Sequence, residues 1–163
     1  DEFPEYVKAI AEAGHDIGNH SENHMYMTQL SPEECADEIM KVHEKVKKLT
    51  GIDMNLFRPP YGDYDNMLIR TAKDHGYYPI QWNIDSLDWK DYSAERIAKQ
   101  IINNKNLDNG SIIRLHNGAR YTLDALSLII EELQDMGYEI VPVSELIHTG
   151  NYYVDQTGKQ YAK

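Results

Sequence analysis

The sequence contains a single cysteine, Cys35, which excludes an intramolecular disulfide and leaves the redox compartment open. It lies in a helical pattern with no local signature around it. That context suits a small packing residue better than a nucleophile. Long apolar runs are missing too: none approaches the roughly 20 residues a membrane span needs. Basic residues are scarce, with 16 Lys and Arg against 27 Asp and Glu. The resulting net charge of −11 argues against nucleic acid as a partner, since a phosphate backbone is gripped by Lys/Arg-rich surfaces. An acidic surface is compatible with a neutral glycan. There is no internal repeat, no low-complexity block and no signal peptide. The opening Asp1-Glu2-Phe3-Pro4 lacks an initiator Met, as a fragment would.

What remains has the composition of an ordinary globular domain, 41% hydrophobic and 26% charged, with 163 residues to bury a core. Helix-like and strand-like segments alternate along the chain. Helices are predicted over 3–13, from the Ser31-Pro32-Glu33-Glu34 start to Gly51, over 66–75, after the Ser93 cap, over 121–136 and over 143–147. Strands are predicted at 15–19, 55–58, 77–84, 111–115 and 138–141. Such alternation implies parallel strands covered by helices. Five strands are too few for a complete eight-stranded barrel. Residues 1–149 read as one catalytic-type domain and 150–163 as a loose polar tail.

Four polar clusters fall at predicted strand ends, where α/β domains build their sites. His20-Ser21-Glu22-Asn23-His24 spaces two imidazoles four residues apart, suited either to a divalent metal or to ordinary loop histidines. Arg58-Pro59-Pro60-Tyr61-Gly62 offers a guanidinium on a proline-stiffened loop, either a carboxylate clamp or a rigid turn with a surface Arg. Asp85-Ser86-Leu87-Asp88-Trp89 sets two carboxylates and an indole after a strand. One Asp could orient a histidine and the Trp could face a sugar, or the segment is an Asx-rich turn. Leu115-His116-Asn117 puts a histidine, structural or catalytic, where an apolar strand meets a loop. Together these supply the ligands, acid and substrate wall that metal-assisted hydrolysis needs.

The order H-S-x-x-H, R-P-P-Y-G, D-S-L-D-W, L-H-N resembles the NodB-homology polysaccharide deacetylases, carbohydrate esterase family 4, over about residues 14–147. The resemblance implies a distorted (β/α) barrel, present here without its first strands, and a divalent metal, zinc or a relative such as cobalt. It also implies hydrolysis of acetyl groups from a polysaccharide. Peptidoglycan or chitin-type N-acetylated polymer is expected, with acetylxylan esterase or a non-catalytic carbohydrate-binding remnant as alternatives. A polymer substrate implies an extracellular or cell-surface location.

Carried over by motif, His20 and His24 are expected to bind the metal and Arg58 to hold the catalytic base. The Tyr61 backbone N–H would face the oxyanion, and His116 would be the general acid, with Asp85 pairing to it. Trp89 and Leu115 would wall the acetyl pocket, with Pro60 also on the substrate side. Two departures stand out. The family's T-F-D-D-G motif, source of the base and a third ligand, occurs nowhere in this sequence. An N-terminal fragment of the same protein carrying that Asp-Asp pair is therefore an expected partner, and this chain alone is expected to be nearly inactive. Arg114 stands where the family usually has Leu, two residues before His116.

Overall fold

The computed structural model describes residues 2–155 and 157–163. Asp1 of the opening segment and Gln156 of the expected tail lie outside the described residues. The chain divides into two compact units, residues 1–81 and 82–163.

In the first unit, helix α1 (Pro4–Glu12) carries proline in its first turn but buries no residue; Tyr6 and Ile10 of its apolar stripe face solvent. After a 3₁₀ turn (Met27–Gln29) comes α2 (Pro32–Thr50). A full capping box starts α2: the Ser31 hydroxyl accepts from the Glu34 N–H, and the Glu34 carboxylate accepts from the Ser31 N–H at 2.8 Å. Gly51, left-handed at φ 78°, ends it. Strand β1 (Leu56–Phe57) leads through a 3₁₀ turn (Pro60–Gly62) to α3 (Asn66–Asp74), capped by Asp65, and then to β2 (Tyr78–Pro79), parallel to β1. Met27, Cys35, Ile39, Met54, Phe57, Leu68, Ala72 and Tyr77 form the core. The strand expected at 15–19 reduces to one bridge, Asn19 beside Phe57.

In the second unit, β3 (Ile84–Asp85) pairs in parallel with β4 (Ile113–Arg114). A 3₁₀ turn (Asp88–Lys90) and α4 (Ala94–Ile102), capped by Ser93, lie between them. Then come α5 (Thr122–Asp135) and α6 (Val143–Leu146). Helix α5 packs on α4, and Ile84, Ile97, Ala98, Ile101, Ala125, Ile129 and Leu133 are buried between the elements.

Three further expectations need correction. The single strand predicted over 77–84 is two short ones. Ile80 donates to Phe57 in the first unit, whereas Ile84 donates to Ile112 in the second, so the ladder partner changes between them. Residues 138–141 form no strand: Tyr138 is drawn into the helix C-terminus by its bond to the Leu133 carbonyl. The segment read as a loose tail contains an antiparallel hairpin, β5 (Tyr152–Val154) with β6 (Gln160–Ala162), whose Tyr153 and Tyr161 stack across the strands at 5.2 Å.

Candidate active site

In the first unit the site is built on Asn19. Its N–H donates to Leu56 and its carbonyl accepts from Arg58, which stitches the histidine loop alongside β1. Its buried side chain donates to the Ile39 carbonyl at 2.8 Å and to the Tyr77 hydroxyl at 3.2 Å, and accepts from the Ser21 N–H at 3.0 Å. A second anchor is Glu38, buried on α2. Its carboxylate accepts from the Asn23 N–H at 2.8 Å and the Asn23 amide at 2.6 Å. Sequence reasoning missed both residues. A polar side chain on the otherwise apolar face of α2 was the available signal for Glu38.

These anchors bring the two histidines together. Ser21 and His24 adopt left-handed φ values of 67° and 53°, and the Ser21 hydroxyl accepts from the His24 N–H. The rings of His20 and His24 meet edge to face, centroids 4.9 Å apart. Two imidazoles sharing one tetrahedral zinc at about 2.0–2.1 Å would have centroids about 5 Å apart, so the pair fits two ligands of one ion. The Nδ1 of His20 lies 2.5 Å from the Arg58 carbonyl, which selects the tautomer that donates there and places the lone pair on Nε2. Among the described residues no group of three or more His, Cys, Asp or Glu gathers around the pair.

Arg58 thus enters the site through its carbonyl. Beyond it, Pro59 and Pro60 are buried, and Tyr61 takes a left-handed turn at φ 60°, ψ 0° with its ring half exposed. Pro60 was expected on the substrate side. Its burial makes it a shaper of the loop instead: its carbonyl accepts from the Asp63 N–H.

In the second unit the buried carboxylate of Asp88 accepts three hydrogen bonds. They come from the His116 N–H, the His116 Nδ1 and the Thr122 hydroxyl, each at 2.7 Å, while the Asp88 N–H donates to the Ser86 hydroxyl at 3.3 Å. Burial pushes its pKa up, but the His116 backbone N–H, the Thr122 hydroxyl, the imidazole and Ser86 outweigh that and hold it down to about 2. Asp88 is therefore an anion that fixes the proton on Nδ1 of His116, while that ring keeps 35% of its surface open.

The expected partner of His116, Asp85, is corrected here. Its carboxylate pairs with Arg114 and caps the Leu87 N–H at 3.1 Å. The Arg114 guanidinium also lies over the Trp82 ring at 3.9 Å, which turns the unusual arginine onto neighbours in its own unit. Its Nε is buried with no hydrogen-bond partner. Trp89 is 56% exposed, and Leu115 packs partly against the core. Cys35 is buried, and burial, followed by nearby carboxylates, pushes its thiol up to about 11, so it stays an inert packing residue.

The model of the polysaccharide deacetylase family matches residues 1–80, which hold both histidines and the Arg58–Tyr61 loop. The peptidoglycan-N-acetylglucosamine deacetylase of Bacillus cereus is 37% identical over 152 residues, 88% of this chain and 68% of that enzyme. The chain belongs to the polysaccharide deacetylase family. Among solved structures, a peptidoglycan N-acetylglucosamine deacetylase in complex with an N-oxidanyl-benzamide superposes with a TM-score of 0.85 at 31% identity, over 90% of this chain and 69% of that one. A CE4 family pseudoenzyme from Bacillus anthracis gives 0.84 at 28% identity, over 89% of this chain and 50% of that one. This polysaccharide deacetylase chain thus has the α/β fold of the NodB-type family expected from its motifs. It spans about a third to two thirds of the length of the proteins it matches over most of its own length.

Proposed function

We propose that this polysaccharide deacetylase chain serves the metal-dependent hydrolysis of N-acetyl groups on a cell-wall glycan at the cell surface. The observation that carries the reading is the Asp88–His116 pair. A buried anion with its lone pairs occupied by donors grips Nδ1 and leaves the imidazole half open, the arrangement a general acid needs. The relatives' names point to peptidoglycan as the polymer.

His20 and His24 would hold the ion, with zinc favoured by two imidazole donors. When bound, such an ion supplies Lewis-acid polarisation and acidifies water. A hydroxamate-type ligand in the complex noted above is the kind of bidentate oxygen donor that divalent metals take. The chain's own groups do the rest. The Tyr61 N–H would donate to the developing oxyanion as a water oxygen bonds to the acetyl carbon and gives its proton to the base. The C–N bond then breaks, and His116 Nε2 gives its proton to the departing nitrogen, releasing acetate and a free amine. Exposed Trp89 offers a flat face to the sugar or acetyl methyl, and the Arg58 guanidinium steers the base. The base and a third ligand come from an aspartate pair outside these 163 residues, on a further segment of the same protein.

Acetate release from N-acetylated glycan strands by the protein with that segment present tests the reading. His116→Ala should lower the rate by about 10²–10⁴, and His20→Ala should abolish stoichiometric zinc retention. An unchanged rate in His116→Ala would overturn the acid assignment. A second reading, a glycan-binding protein without catalysis, is favoured by Arg114 in the place of an apolar wall residue and by the likeness to a pseudoenzyme. It predicts glycan binding that is indifferent to metal, with no acetate released.

A further inference from the structure

Beside the histidine pair lies an aromatic arrangement to which no role has been given. Tyr26 and Tyr61 stack nearly parallel, centroids 4.0 Å apart and planes 10° from one another, and the edge of His24 meets Tyr61 at 4.6 Å. His20, His24, Tyr61 and Tyr26 thus form one continuous run of ring contacts. Both tyrosines are large side chains left about half exposed, 49% and 51%. The stack covers one face of Tyr26, while about half of the residue stays exposed.

The stack is held from both sides. Next to Tyr26, Met27 is buried in the core and its carbonyl receives the Cys35 thiol at 3.2 Å. The Tyr26 carbonyl accepts from Gln29, and the Thr28 hydroxyl donates to Asp63 at 2.5 Å, tying the Tyr26 turn to the Tyr61 turn. On the other side, Gln81 donates to the Gly62 carbonyl at 3.0 Å. Tyr61 itself holds a left-handed conformation that is unfavourable for a non-glycine residue and persists only where the surroundings enforce it. A rigid, half-exposed, uncharged pair of rings is a poor use of surface unless something flat covers it.

We infer that Tyr26 is a glycan-binding residue: backed by Tyr61, its outer face seats the pyranose ring next to the acetylated sugar, setting a preference for polymer over monomer. A pyranose presents a C–H face to an aromatic ring and hydroxyls at its rim, and the Tyr26 hydroxyl supplies both a donor and an acceptor there. The inference rests on the reading of the chain as a polysaccharide deacetylase and adds the residue that reads chain length.

The test is titration of the whole chain with N-acetylglucosamine and with its pentamer, followed by NMR or calorimetry, for wild type, Tyr26→Ala and Tyr26→Trp. Tyr26→Ala should weaken pentamer binding by about two- to tenfold, the loss of one ring contact, and leave the monomer unaffected. Tyr26→Trp should keep or improve pentamer binding. The inference is overturned if Tyr26→Ala binds the pentamer as wild type does. It is also overturned if monomer and pentamer lose equally, which would mark a loop brace, or if wild type prefers neither. The two readings fail separately. Tyr26-dependent binding with no acetate release sinks the enzyme reading and keeps the glycan-binding role of Tyr26, whereas acetate release with an unchanged KM for polymer in Tyr26→Ala does the reverse.

Discussion

At the scale of single residues, Asp88 separates what spacing offers from what geometry selects. D-S-L-D-W supplies two carboxylates three positions apart, and either could have met His116. The left-handed Leu87 at φ 55° and the 3₁₀ turn that follows send Asp88 inward to His116 and leave Asp85 at the strand end, facing Arg114. Asp88 also gives the second unit a definite acid response. Its folded pKa of about 2 lies below the ordinary 3.8, so ionisation favours the folded state above about pH 4, and that contribution is lost as pH falls through about 2. The size is about 2 kcal/mol. Both tryptophans, Trp82 and Trp89, lie in the second unit, so their fluorescence reports it. Urea midpoints followed by that emission should fall between pH 4 and 2 in wild type. Asp88→Asn should be less stable at pH 7 and fall less steeply over that range, Glu95 and Asp155 still contributing; an equal slope in the variant would show the response comes from other carboxylates.

At the scale of elements, local chemistry was legible where it is local. Ser31-Pro32-Glu33-Glu34 announces the start of α2 and Gly51 its end, and both stand as read. Ser31→Ala removes one half of the capping box and should cost about 1 kcal/mol in the first unit, measured by amide exchange or circular dichroism. No loss would mean water replaces the cap. The strands were legible only in part, because a two-residue strand such as β1 or β4 is defined by its partner and carries almost no periodicity of its own. Residues 77–84 look continuous as sequence, yet Ile80 and Ile84 find ladder partners in different units. The apolar stripe of α1 shows the converse: periodicity foretold the helix, but Tyr6 and Ile10 are exposed.

At the scale of the molecule, each unit carries its own core, and no hairpin residue belongs to either cluster. A chain ending at Thr149, without β5 and β6, should keep both transitions within about 0.5 kcal/mol of the full chain in urea. A larger loss would show that the hairpin supports one of them.

The sequence by itself determined the family, the helix limits and the identity of the histidines, because caps, proline, glycine and motif order act over a few residues or are visible as letters. The tertiary structure alone decided which aspartate holds His116, that the Arg58 carbonyl orients His20, that Pro60 is buried and that Tyr26 lies on Tyr61. The three pairings among these join residues roughly 28 to 38 positions apart. At that separation a contact is set by how strands and turns pack, and nothing in the neighbouring letters encodes it.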